Sequence, residues 1–374
     1  MTIYGNMMWR RLRWRRRTPP REQNRKGNAN MCRMCRLISL VVALSLFVPA
    51  GAAMAAAPAV QDVQGLYEGT RTDTGRAHKF EFEARVVALG KGAYKVFIRE
   101  ASETRGTRVT RIYREGDGAA VAKVELDGKT EGEAVTFSGK SDAGDWVASY
   151  ADGGIAGTCG KGGKVAMKHI VRVSATMGAK CPAGAVVLID GKNFNEVVAK
   201  PGKDGKPQEW KVAADGGVMV AKGGINSKRS FDGSFKMHVE FKNPLMPEAR
   251  GQGRANSGCF MPNGNEVQVL DSFGMGTYTG GCCGGIYKYK DPDAFDEFSL
   301  ASAPPGQWQT YDIEYTVKST DGKPTGKPVI TVLHNGIKIH DKFQLNMDAK
   351  GGPFQFQDHG NPVQYRNIWV LPIK

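Results

Sequence analysis

Ser234-Phe-Lys-Met-His-Val-Glu-Phe241 alternates apolar and polar side chains without a break. In an extended chain Phe235, Met237, Val239 and Phe241 share one face while Lys236, His238 and Glu240 share the other, which is the period of a half-buried strand. The same pattern recurs in both directions. Val329-Ile-Thr-Val-Leu-His334 and Ile337-Lys-Ile-His340 flank Asn335-Gly336, the strongest hairpin signal in the chain. Upstream, Lys79 to Leu89, Ala93 to Ile98, Val121 to Leu126 and Ala134 to Ser138 are short alternating or apolar runs broken by Gly, Asp and Lys. No stretch beyond the N-terminal segment holds a 3.6-residue apolar period over a helix length, so the chain reads as all-β.

Its length suggests two β units. Gly160-Lys-Gly-Gly163 and the segment from Gly178 to Gly184 mark the junction. A small all-β domain of unassigned role is expected over residues 58–180, and a β-sandwich over 182–374, opening with Val186-Val-Leu-Ile189. Two Gly- and Pro-rich excursions, Asn243 to Gly258 and Gly274 to Gly306, read as functional loops over a groove.

Residues 1–55 read differently. Residues 1 to 36 hold eleven Arg and Lys against the single acid Glu22, so this segment carries +10 of the net charge of +15. Leu37 to Val48 is an apolar run of twelve residues, followed by Pro49 and Ala52-Ala53-Met54-Ala55. It is too short to span a bilayer and has the order of a secretory signal peptide, cleaved after Ala55 or just beyond. Met31 or Met34 would be the natural start of such a peptide, with residues 1–30 as translated upstream sequence, and a long basic n-region is the alternative. The expectation is therefore an exported protein, periplasmic or extracellular, with no membrane segment after cleavage. Without the basic segment little positive charge remains and no aromatic residues interleave with basic ones, which argues against a nucleic-acid partner. Export permits disulfides. Five cysteines follow the apolar run, and Cys159 with Cys181 is the candidate staple of the junction. Cys32 and Cys35 belong to the targeting segment, and no other spacing suggests structural zinc.

Chemistry concentrates in the last third, where Arg254-Ala-Asn256-Ser257-Gly258, Glu266-Val-Gln268-Val-Leu-Asp271 and Gln357-Asp-His359-Gly-Asn-Pro-Val-Gln-Tyr-Arg366-Asn367 follow in order. Alternation turns Val267 and Val269 toward a core and Glu266, Gln268 and Leu270 toward a groove, with Asp271 one step out of phase. The same logic turns Gln355, Gln357 and His359 outward from Phe354 and Phe356. Histidine is the side chain suited to proton transfer near neutrality, which makes His359 the acid-base candidate. Arg366 shares the parity of Gln364 and is a candidate for an enolate oxygen, while Asn367 points the other way. Asn256 and Ser257 can line a groove, although Asn-Ser-Gly is also ordinary turn chemistry. His238, His334 and His340 read as solvated or structural. Trp308 opens a strand and reads as core or as a sugar platform.

Together with Trp308-Gln-Thr-Tyr-Asp-Ile313 and the Asn335-Gly336 hairpin, these motifs closely resemble the 3-keto-disaccharide hydrolase domain family, from about Gly184 to Lys374. The resemblance implies a concanavalin A-like jelly roll acting on glycosides oxidised at carbon 3. Its partners would be an oxidised glycoside or polysaccharide-derived substrate and a sugar 3-dehydrogenase that supplies it. Laminarinase-type relatives of that fold use Glu-x-Asp-x-Glu, where this chain has Glu-x-Gln-x-Leu, so paired-carboxylate hydrolysis is disfavoured. Abstraction of the acidic hydrogen on carbon 2, β-elimination and hydration fits better. In that reading Glu266, His359 and Arg366 are catalytic, and Arg254, Asn256, Gln268, Asp271 and Gln357 bind substrate. A divalent metal among Glu266, Asp271 and His359 is the alternative electrophile. A non-catalytic carbohydrate-binding module is the rival from another class. The segment Gly280-Gly-Cys-Cys-Gly-Gly-Ile-Tyr287 departs from the family pattern.

Overall fold

The computed structural model describes residues 56–74, 79–100, 123–201, 205–206, 208, 210–220, 222–274, 277–293 and 301–373. The basic segment, the apolar run and Cys32 and Cys35 lie outside them. The regular structure of the described residues is almost all strand, with one short α-helix, Val60–Val63, and a 3-10 turn at Gly251–Gly253. Among them, no helix is long and apolar enough to cross a membrane.

Eight antiparallel strands come first: β1 Gly65–Thr72, β2 Lys79–Gly90, β3 Ala93–Glu100, β4 Lys123–Glu131, β5 Ala134–Ser141, β6 Gly144–Ala151, β7 Gly154–Cys159 and β8 Gly163–Ile170. They pair in sequence order, and β8 returns to β1, so the sheet closes on itself as a barrel. Closure removes both edges, and eight strands leave an interior that side chains alone can fill. Phe82, Val86, Val96, Leu126, Phe137, Trp146 and Met167 fill it. Val63 of the short helix joins that core, and the Tyr67 hydroxyl donates to the Val63 carbonyl at 2.7 Å.

The remaining strands form two sheets that share one core. A five-stranded sheet runs β10 (Val197–Ala199), β13 (Ile225–Ser227), β20 (Gln355–Phe356), β15 (Ser257–Phe260) and β16 (Glu266–Val269). An eight-stranded sheet runs β11 (Lys211–Val212), β12 (Val218–Met219), β21 (Gln364–Ile373), β14 (Ser234–Lys242), β17 (Trp308–Thr320), β18 (Lys323–His334) and β19 (Ile337–Gln344), with β9 (Val186–Ile189) paired to β21. Phe235, Met237, Val239 and Phe241 of β14 meet Cys259, Val267, Val269 and Phe356 of the smaller sheet in that core. The alternation in β14 thus reports its burial correctly. On its polar face His238 and Glu240 are buried as well, while Lys236 is exposed. Asn335 and Gly336 join β18 to β19 with φ of 51° and 81°, the left-handed pair required by the hairpin turn.

Barrel and sheets touch through Leu66, Val87 and Phe273, and the Arg85 guanidinium lies 5.0 Å from the Phe273 ring centre. Arg250 donates to the Leu89 carbonyl at 2.6 Å, and the Lys91 amide donates to Glu248 at 3.0 Å. The junction is held without the expected staple. Cys159 is buried in the barrel core, whereas Cys181 is exposed and its thiol turns to the Pro182 carbonyl, so no Cys159–Cys181 disulfide forms. Polar contacts hold it instead: Thr176 donates to Asp312 at 2.6 Å and the Gly178 amide to Glu240 at 2.6 Å.

Candidate functional site

The hairpin of β15 and β16 sets Ser257 opposite Val269, Gly258 opposite Gln268 and Phe260 opposite Glu266. Cys259, Val267 and Val269 enter the core, so Gly258, Glu266 and Gln268 lie on the other face, as does Asn256 by the same parity. On the neighbouring strand Phe354 and Phe356 face inward, which leaves Gln355 and Gln357 outward. The Gln357 backbone N–H donates to the Gly258 carbonyl at 2.9 Å. Gly258 is therefore a bare floor between Glu266 and Gln268 on one side and Gln357 on the other.

The floor must be bare. A β-carbon on Gly258 would overlap Glu266 Oε1, so Gly258→Ala is expected to displace that carboxyl while Cys259 keeps the strand in the core. Ligand binding at this face should fall at least ~10-fold with little change in melting temperature; unchanged affinity would remove Gly258 from the site.

Glu266 is only 6% exposed, and burial alone raises its carboxyl to about 7. A carboxyl that titrates near neutrality can hold or take a proton there, the property of a general base or acid. Beside it the Tyr287 amide donates to the Glu266 carbonyl at 3.0 Å, and the Tyr278 and Tyr287 hydroxyls meet at 2.7 Å. One of two paired hydroxyls donates to the other, so the pair retains one O–H to give elsewhere. Burial, the Tyr287 contact and the Glu266 charge push Tyr278 up to about 12, which keeps it protonated. On the other flank Gln268 donates to Gln252 Oε1 at 2.9 Å, and Asn256 donates to the same oxygen at 3.0 Å.

Several expected participants are elsewhere. Arg254 and Asp271 are buried and bond each other at 2.7 Å, so carboxylate and guanidinium are each committed to the other. Leu270 belongs to the core, because β16 ends at Val269 and the alternation ends with it. Ser257 also faces inward, bonded to the Tyr365 hydroxyl at 2.8 Å. β20 stops at Phe356, and Asp358 turns the chain by accepting from the Gly360 amide at 2.8 Å. His359 is exposed in that turn. The proposed metal trio does not assemble: Asp271 is committed to Arg254, and no group of three His, Cys, Asp or Glu able to hold a metal occurs among the described residues.

Arg366 lies on the far face of the other sheet. It donates to Glu240 at 2.7 Å and its guanidinium stacks 4.0 Å from the Trp308 ring centre, so Trp308 lies outside the core beneath a guanidinium. Asn367 donates to the same Glu240 at 2.8 Å although it is the next residue. A register shift between His238 and Glu240 and a φ of 45° at Asn367 let both reach one carboxylate. A bulge cancels the parity argument. His238, also in this cluster, bonds Asp312 at 2.7 Å. Burial alone would lower His238, but Asp312 and Glu240 outweigh it and raise it from 6.5 to about 9. Burial likewise opposes the ionised form of Glu240, and His238, Asn367, Arg366 and the Gly178 amide hold its carboxyl low.

The sign for stability follows. The His238 contribution is full below its unfolded value and is lost as pH rises through about 9. The Glu240 contribution is present above the ordinary carboxylate range and is lost only in strong acid. The urea midpoint should therefore decline between neutrality and pH 9, and His238→Gln should remove that decline. Equal declines in both proteins would assign it to other groups.

Gln252, Gly258, Tyr278 and Tyr287 were not singled out from sequence. Gln252 sits between two glycines with no pattern of its own, and Tyr278 and Tyr287 lie in an irregular loop where alternation gives no facing. Gly258 left a faint signal, a glycine inside a strand where something approaches closely.

Residues 184–371 match the family described as the 3-keto-alpha-glucoside-1,2-lyase-like domain. A crystal structure of a candidate glycosyl hydrolase from Parabacteroides distasonis ATCC 8503 is 33% identical, with 52% of this chain and 85% of that chain covered and a TM-score of 0.44. No curated protein matches the chain.

Proposed function

Because the chain belongs to the 3-keto-alpha-glucoside-1,2-lyase-like domain family, we propose that it is a carbohydrate-processing enzyme that cleaves glycosides oxidised at carbon 3, on a concanavalin A-like frame. The observation that carries this reading is Glu266: a carboxyl lying over the side-chain-free Gly258 and raised by burial to about 7.

In the proposed reaction a ketone at carbon 3 acidifies the hydrogen on carbon 2. The Glu266 carboxylate takes that proton, and the C2–H electron pair becomes a C2–C3 double bond with charge on the ketone oxygen. The Tyr278 and Tyr287 pair donates its spare O–H to that oxygen. When the carbonyl re-forms, the pair moves to C1–C2 and the C1–O bond breaks. The departing aglycone oxygen takes the proton now on Glu266. Water then adds at carbon 1 while a proton returns to carbon 2, and the sum is hydrolysis. This sequence needs one base and one enolate donor rather than two opposed carboxylates. Arg366 has no part in it, being bonded to Glu240.

The reading carries two further proposals. The substrate presupposes a dehydrogenase that oxidises carbon 3 of a glycoside, and the N-terminal basic and apolar segments suit export to where such glycosides occur. The test is aglycone release from 3-keto-glucosides and from their unoxidised parents, with and without chelator. Release from the keto form alone supports elimination, and its loss with chelator would add a metal to the site. Binding without release from either would favour a carbohydrate-binding module.

A further inference from the structure

Four side-chain amides meet around the Gly258 floor, and backbone groups fix the orientation of three of them. Gln252 Nε2 donates to the Gly281 carbonyl at 2.7 Å and to Thr277 Oγ1 at 3.2 Å. A carbonyl only accepts, so the opposite atom of Gln252 is its oxygen. That oxygen accepts from Gln268 Nε2 and from Asn256 Nδ2. Gln268 is fixed from its other end, where its Oε1 accepts the Val269 N–H at 3.1 Å. Asn256 Nδ2 also donates to the Gln252 backbone carbonyl at 2.7 Å. No member of this chain can exchange its oxygen and nitrogen without placing two donors or two acceptors together.

One atom is left over. Asn256 Oδ1 is buried without a hydrogen-bond partner in a residue 2% exposed. Across the floor Gln357 Oε1 is in the same condition. Natural structures satisfy buried polar atoms, so an unpartnered one calls for a partner such as water, an ion or a ligand. Both residues lie on the face that holds Glu266.

We infer that Asn256 is a specificity-determining residue that accepts a hydrogen bond from a sugar hydroxyl, and that Gln252 is the positioning residue that fixes this polarity. This rests on the reading of the Gly258 face as a sugar site. The consequence is chemical. An oxygen acceptor welcomes a hydroxyl and repels a ketone oxygen, which has no proton to give. The ketone of a bound keto-sugar is thereby turned away from Asn256 toward the hydroxyl donors of Tyr278 and Tyr287, while a hydroxyl of the same ring faces Asn256. Gln357 offers a second acceptor on the other side of Gly258.

The test measures equilibrium binding of methyl α-glucoside and its 2-, 4- and 6-deoxy analogues to the full chain by calorimetry, so turnover is not required. One deoxy analogue is expected to bind the unaltered protein about tenfold more weakly than the parent. Asn256→Ala should weaken the parent by a similar factor and bind that analogue and the parent alike. Gln252→Leu removes one of the two oxygens that hold Asn256 Nδ2 and keeps the other, the backbone carbonyl of residue 252, so Asn256 is held less firmly and discrimination should shrink about threefold while melting temperature is held as a control. Full discrimination retained in Asn256→Ala, or no sugar bound by the unaltered protein, overturns the inference. Binding and discrimination in a protein that releases no aglycone from keto-glycosides would overturn the elimination reading and leave this assignment standing.

Discussion

Glu266→Gln is expected to lower kcat/KM on a 3-keto-glucoside by ~10²- to 10⁴-fold, the range that general-base catalysis supplies. The amide keeps the shape over Gly258 and loses only the capacity to take a proton. The pH profile gives an independent check. A base must be ionised, so activity should climb with pH, reach half its limit at about 7 and then level, because burial has raised this carboxyl from 4.5. An ordinary carboxylate would give no limb in that range. The same shift makes a stability claim of opposite sign. Between 4.5 and about 7 the folded protein holds a proton that the unfolded chain has released, so folding stability falls as pH rises through that window. Glu266→Gln should therefore be more stable than the parent at neutral pH, by at most about 3 kcal/mol. A variant that is both inactive and stabilised identifies a residue kept for chemistry. A variant that is inactive and destabilised would make Glu266 structural.

The sequence makes strand existence legible and strand facing legible only where pairing is regular. In β14 the apolar half of the alternation enters the core, and Asn335-Gly336 makes its turn, because local propensity and tertiary packing agree there. Closure of the first eight strands is not legible, since an alternating strand reads the same in an open sheet and in a barrel. Among the candidate site residues, Glu266, Gln268 and Gln357 reach one face because β15, β16 and β20 keep register beside Gly258. Arg366 misled for a physical reason. The bulge between His238 and Glu240 and the left-handed Asn367 break the two-residue period at the point where it was used. Arg254 and Asp271 misled for another reason. Their residue types suit ligand binding and buried ion pairing alike, and only the three-dimensional contact between them distinguishes the two.

Arg254→Met should be the most destabilising single change, costing about 3–5 kcal/mol in chemical unfolding, because it strands a buried carboxylate. Burial already pushes the Asp271 carboxyl up, and the Arg254 guanidinium is the group that opposes this. The loss extends beyond one ion pair. Arg254 Nη1 also donates to the Met246, Pro247 and Ala249 carbonyls, and Nη2 reaches the Ala88 carbonyl of the barrel at 3.4 Å. One buried side chain thus holds the loop before β15 and ties the barrel to the sheet that carries Glu266. Asp271→Asn keeps a hydrogen-bond acceptor for Arg254 but removes its counter-charge, so it should also destabilise the protein, in the same direction. In both variants the fraction that remains folded should bind sugar with unaltered affinity. A loss below 1 kcal/mol in Arg254→Met, accompanied by a large rise in KM, would instead return Arg254 to the substrate site.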